Sequence, residues 1–142
     1  MFDFILKEQQ EPLKAMESIL NLEKKYKIVF PDVLKNLYAK SEGGKIKLCV
    51  FKIDEFDYEV SSIISVVPEG FYFEKIADSD RDDGFLSVSF YPFASNRGGD
   101  IYYWDSETKK VYLSLADDIE NPILISDSIE EFILLLEKSV RN

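Results

Sequence analysis

The chain has 142 residues, 46% hydrophobic and 14% aromatic, which fits a single domain with a real core and excludes global disorder. A net charge of −10 and the complete absence of histidine exclude histidine-based triads, histidine-bound zinc, and attraction to nucleic acid or anionic membranes. No apolar run approaches the roughly 18 residues a membrane helix needs, and Met1 to Leu6 lacks the basic patch of a signal peptide, so the cytoplasm is the expected compartment.

In chain order, residues 1 to 11 read as a short entry segment. Pro12 suits the first turn of a helix, where its missing N–H costs nothing. Leu13, Met16, Ile19, Leu20 and Leu22 then recur at helical spacing, predicting a helix over 12–26. Pro31 and Asp32 open a second helix with Val33, Leu34, Leu37 and Tyr38 as its apolar stripe, stopped by Gly43 and Gly44. From Lys45 the period changes. Ile46, Leu48 and Val50 alternate with Lys47, Cys49 and Lys52, as in a strand. Cys49, the only cysteine, is expected to be a buried structural thiol. Ile63 to Val67 reads as a strand or as a helix start at Ser61 and Ser62. Phe71 to Ala77 is ambiguous, and Asp78 to Gly84 reads as a polar turn. Phe85 to Phe90 alternates and is expected to be a strand. Asn96 to Gly99 is a turn. Ile101 to Trp104 and Val111 to Leu115 read as a hairpin, with a short strand at Ile123 to Ile125. Ser128 and Glu131 have capping-box spacing at the head of a last helix with Ile129, Phe132, Ile133, Leu136 and Val140 inward. Helices at both ends and strands between them predict an α+β fold: a mostly antiparallel sheet flanked by two N-terminal helices and one C-terminal helix.

Two blocks resemble a known family. The first runs from Leu22 through Glu23, Lys24, Lys25, Phe30, Pro31 and Asp32 to Glu42, Gly43 and Gly44. The second runs from Phe90 to Asp105, with Asn96, Gly98, Gly99, Asp100 and Trp104, then Val111–Tyr112, and later Ser128 and Phe132. This ordered set is similar to the SUKH superfamily (the Smi/Knr family). Glu42 stands where the family often has Asn, and Ile129 replaces an aromatic residue. The resemblance implies an α+β fold, a binding role and no catalytic residues. Bacterial members are commonly encoded beside polymorphic or contact-dependent toxins, often nucleases, and act as their immunity proteins. It also implies a runner-up role, a regulatory or scaffold module binding another protein. Fungal members of that kind carry long disordered arms, and no low-complexity segment is present here.

Charge is unevenly spread. Between Glu23 and Lys47 seven lysines face three acidic residues, leaving about −14 for the rest of the chain. Asp54, Glu55, Asp57 and Glu59, interleaved with Phe56 and Tyr58, suit a surface facing lysines and arginines on a basic protein. Their alternative is an exposed loop with two aromatic residues turned inward. Tyr72, Asp78, Asp80, Asp82 and Asp83 are the second candidate partner-binding set. The four aspartates miss calcium-loop spacing, since the sixth position is Asp83 rather than glycine and the twelfth is Ser89. Asn96 to Asp100 lacks the Lys-Ser/Thr ending of a phosphate loop. Asp100 and Asp105 are expected to hydrogen-bond turn backbone rather than serve as a glycosidase pair. The aromatic strand Tyr102–Tyr103–Trp104, with Tyr112, is expected to put one side into the core and to leave aromatics exposed on the other. No cofactor or metal is expected. The expected function is an immunity protein that blocks a basic toxin by occlusion.

Overall fold

The structure, a computed structural model, describes residues 2–6, 13–41, 45–68, 70 and 72–141. The expected roles of Pro12, Gly43 and Gly44, and the start of the ambiguous stretch at Phe71, lie outside the described residues. Two helices, α1 (Leu13–Tyr26) and α2 (Asp32–Ser41), come first. A two-stranded hairpin follows, β1 (Cys49–Ile53) with β2 (Phe56–Val60). The main sheet is antiparallel, in the order β3 (Ser62–Ile63), β4 (Phe90–Ser95), β5 (Ile101–Asp105), β6 (Val111–Leu115) and β7 (Asp118–Ser126). Helix α3 (Phe73–Asp83) lies between β3 and β4 in sequence, and α4 (Ile129–Ser139) closes the chain. This is the expected α+β architecture, with one helix more than the sequence predicts. No helix among the described residues is long and apolar enough to cross a membrane.

The core lies on the face of the sheet that carries Tyr91, Phe93, Tyr102 and Trp104. Phe30, Tyr38 and Phe73 form one half of it, with Phe30 in edge contact with Tyr38, Phe73 and Tyr91. Phe132 of α4 forms the other half, against Phe51, Phe93 and Tyr102. The buried Tyr38 hydroxyl donates to the Pro92 carbonyl at 2.8 Å, which satisfies a polar group that would otherwise cost stability. Pro92 has no N–H to give the ladder, and the β4–β5 register shifts between Pro92 and Ala94.

The local signals hold where they are strongest. Pro31 sits immediately before α2 and its carbonyl accepts from Lys35 N–H at 3.0 Å. The Asn96 side-chain oxygen accepts from the backbone of Gly98 and Asp100, both at 3.0 Å, and Gly99 takes φ 86°, a left-handed conformation that glycine adopts without penalty. Asp100 accepts from Ala116 N–H at 2.8 Å, and Asp105 accepts from Glu107 N–H at 3.0 Å and from the Thr108 hydroxyl at 2.8 Å. Ser128 caps α4 by accepting from Glu131 N–H at 3.1 Å, while the Glu131 carboxylate reaches back to Asp127 N–H at 3.3 Å. Cys49 is buried and free, and burial pushes its thiol pKa up.

Five expectations are corrected. Asp78 to Gly84 is not a turn but the second half of α3, because Phe73, Ile76 and Ala77 form a buried stripe that outweighs the poor helix propensity of aspartate. Gly84 is instead its left-handed cap at φ 72°, donating to the Asp80 carbonyl. Phe85 to Ser89 is not a strand. Ser87 and Ser89 share a side-chain hydrogen bond, and Phe90 N–H closes a turn onto Ser87, a local alternative to the ladder. At 46–53 the alternation has the opposite phase: Cys49 and Phe51 face inward, and Leu48 and Val50 face solvent. In α1 the buried stripe is Ala15, Ile19 and Leu22, which leaves Leu13, Met16 and Leu20 exposed. Of Ile63 to Val67 only Ile63 lies in a strand, although Ile64, Val66 and Val67 are buried. The short strand at Ile123 to Ile125 is part of the longer β7.

Candidate partner-binding surface

Asp54 and Glu55 form the two-residue turn of the β1–β2 hairpin, both at positive φ (49° and 73°). Such a turn matches the right-handed twist of the strands, but in non-glycine residues it costs on the order of 1 kcal/mol each. The tip is polar except for Phe56, which is 68% exposed. Inward-facing Phe51 stacks on Tyr58 at 5.9 Å. On the outer side Lys52 pairs with Asp57 at 3.6 Å. Glu59 is engaged within the chain: it accepts from the Arg97 guanidinium at 2.7 Å and from Arg97 N–H at 3.1 Å. Arg97 holds its carboxyl below the ordinary value. The Glu59 carbonyl also accepts from the Tyr102 hydroxyl. Glu59 therefore fastens the hairpin to the β4–β5 turn.

The hairpin lies on the α4 side of the sheet, as the contact between Phe51 and Phe132 requires. Two apolar grooves flank α4 there. One, of about 300 Å³, is bounded by the hairpin residue Ile53, by Ile125 of β7, and by Glu131, Leu134, Leu135 and Lys138. The other, of about 430 Å³, is bounded by Val33 of α2 and by Glu130, Ile133, Leu134, Glu137 and Arg141. Leu134 is shared and 53% exposed. It forms an apolar ridge on a helix face where a solvated helix carries polar residues. Ile53, the residue before the acidic turn Asp54–Glu55, lines the smaller groove, and Glu130 and Glu131 lie in the first turn of α4.

The second predicted set is placed elsewhere. Tyr72 pairs with Ser65 in an isolated bridge just before α3. Asp78 accepts from Lys25 and from the Tyr26 hydroxyl, both at 2.8 Å. Burial pushes its carboxyl up, but those bonds hold it below the ordinary value. Asp80 accepts from the Tyr103 hydroxyl at 2.7 Å. Tyr103 is opposite in phase to Tyr102 and Trp104, so this contact lies on the other face of the sheet. It corrects the expectation of exposed aromatics there: Tyr103 is as buried as its neighbours. Arg81 stacks 4.4 Å from the Tyr26 ring centroid and 5.2 Å from that of Tyr91. Asp82 and Asp83 are open to solvent, and the Asp78 side chain is half-exposed beside Lys25. The structure thus splits the second set: Asp78 is held by α1, and Asp80 is held by Tyr103 on the far face of the sheet.

Burial pushes the Asp80 carboxyl above its ordinary value; the Tyr103 hydrogen bond opposes the rise and nearby Asp83 adds to it. A raised carboxyl favours the protonated form in the fold. Its ionisation as pH rises through the folded pKa therefore costs stability. Asp80→Asn, which keeps an acceptor for Tyr103, is expected to raise the melting temperature at pH 7. At about pH 3, below the ordinary carboxylate value, it should leave it nearly unchanged. Thermal unfolding at the two pH values checks this.

Sequence reasoning missed a further cleft, of about 310 Å³, between Phe85 and the β6–β7 segment Ala116, Asp117, Asp118, Ile119 and Glu120. Asp82 and Asp83 lie just before Phe85. The acidic run interrupted by Ile119 was the available signal.

The assembled picture is an α+β fold in which Glu59, Asp78 and Asp80 hold its own hairpin, helices and sheet together. The family model described as SMI1 / KNR4 family (SUKH-1) matches residues 16–135. The chain belongs to that family, as its sequence blocks imply. No individually curated protein matches it.

Proposed function

We propose that this protein is a cytoplasmic immunity protein that neutralises a cognate polymorphic or contact-dependent bacterial toxin, a nuclease with a basic surface, by covering it. The observation that carries this reading is exposed Leu134 between two grooves, with Glu130 and Glu131 lining them and the acidic hairpin turn Asp54–Glu55 following Ile53 of the smaller one. An exposed apolar centre with a charged rim is the anatomy of an interface. The net charge of −10 suits a partner that binds phosphates. Family membership supports a binding role. Occlusion needs no chemistry from this chain, and the pairings of Glu59, Asp78 and Asp80 are consistent with structural duties for those acids.

The test is protection in cells. Co-expression with the toxin domain encoded by the adjacent gene is expected to restore growth that the toxin alone abolishes. Undiminished killing at matched expression would remove the immunity reading and move the regulatory or scaffold module forward.

A further inference from the structure

The larger α4 groove contains a feature that folding does not explain. Glu137 is 3% exposed, and its Oε2 accepts from Asp3 N–H at 2.9 Å. Its Oε1 has no partner, one of two such buried side-chain atoms among the described residues, with Trp104 Nε1. A buried carboxylate oxygen without a donor is costly, and an apolar residue would serve packing better. Glu130, Leu134 and Glu137 recur at helical spacing along one side of α4, and Arg141 follows just beyond its end. The cation in the groove, Arg141, is 3.6 Å from Asp3 rather than on Glu137. The groove thus has apolar walls in Val33, Ile133 and Leu134, acidic residues in Glu130 and Glu137, and in Glu137 Oε1 a buried acceptor without a partner.

We propose that this groove receives an arginine side chain from a basic protein partner, with the methylene stem against Val33, Ile133 and Leu134 and the guanidinium donating to Glu137 Oε1, which the Glu137 side chain turns out of its buried position into the groove. Long cationic side chains lay their stems on apolar surface, and guanidinium–carboxylate bonds are among the stronger hydrogen bonds in proteins. The inference rests on the reading of the α4 face as the binding surface and names its anchor. It requires no particular toxin.

The test uses the full chain and a small probe, so that its failure is separable from failure of the immunity reading. Methyl NMR is followed during titration with n-butylguanidinium, with n-butanol as the uncharged control. Saturable shifts at the Val33, Ile133 and Leu134 methyls are expected with the cation and not with the alcohol. In Glu137→Gln, whose amide oxygen still accepts from Asp3, binding should weaken about ten-fold or more. Leu134→Ser, at an exposed position, should weaken it several-fold and serves if the glutamine variant does not fold. No saturable shift, equal response to the alcohol, or unchanged affinity in the variants would overturn the proposal, whatever the toxin experiment gives.

Discussion

Replacing Asp54, Glu55 and Asp57 together by Asn, Gln and Asn is expected to slow association with the basic partner at least about ten-fold at low salt, with a much smaller change in the dissociation rate. The three carboxylates stand at an exposed tip, so their effect is long-range steering rather than close contact. Asparagine tolerates the left-handed conformation at position 54, so the turn should survive the change. Raising salt from about 0.1 M to about 1 M shrinks the Debye length from about 10 Å to about 3 Å, and should erase the difference between variant and parent. Stopped-flow association rates at several salt concentrations read this directly. The same neutralisation of Asp82, Asp83, Asp117 and Asp118, at the Phe85 cleft, is expected to matter less. The reverse order would transfer the interface to that cleft.

Phe132→Ala is expected to destabilise the protein by about 3–5 kcal/mol. Phe132 is fully buried, with ring centroids 6.0 Å from Phe51 and 5.2 Å from both Phe93 and Tyr102. It joins three elements: the hairpin, β4 and β5. Truncation leaves a cavity that none of these rings can fill without losing its own partners. The melting temperature should fall by on the order of 10 °C. Leu134→Ala, two residues further along α4 and exposed, should cost less than about 0.5 kcal/mol. Comparable losses in the two variants would show that α4 is not anchored through Phe132.

The elements legible in the sequence are those whose signals are local. The Ser128–Glu131 cap, the Asn96 to Asp100 turn and the β5–β6 hairpin are each specified by a few neighbouring residues, and the structure contains them. Helix α3 was illegible because four aspartates mask three apolar residues whose weight comes from distant partners; Phe73 packs against Phe30, Tyr38 and Tyr91. The phase of β1 was undecidable locally. Apolar residues occur on both of its faces, with Val50 opposite Cys49 and Phe51, and the packing of Phe51 on α4 selects one. Tyr103 reads as a surface aromatic until α3 brings Asp80 to its hydroxyl.

The candidate surface was legible in part. The hairpin acids were visible as an acidic run with aromatics between. The division of labour among them was not, because it depends on Arg97, which is 38 residues away from Glu59. The grooves beside Leu134 were invisible for a related reason. The inward stripe Ile129, Phe132, Ile133, Leu136 and Val140 already leaves Leu134 off the core face, but that Leu134 stands between two grooves depends on Val33, Ile53 and Ile125 from distant parts of the chain.

The most direct measurement is binding of the purified chain to the product of the adjacent gene, the toxin that the proposal requires, by calorimetry in about 0.1 M and about 1 M salt, with that product's activity assayed in the complex. The account predicts a stable complex that weakens as salt rises and in which the toxin is inactive. Absence of a complex, or a complex in which the toxin retains full activity, would contradict it.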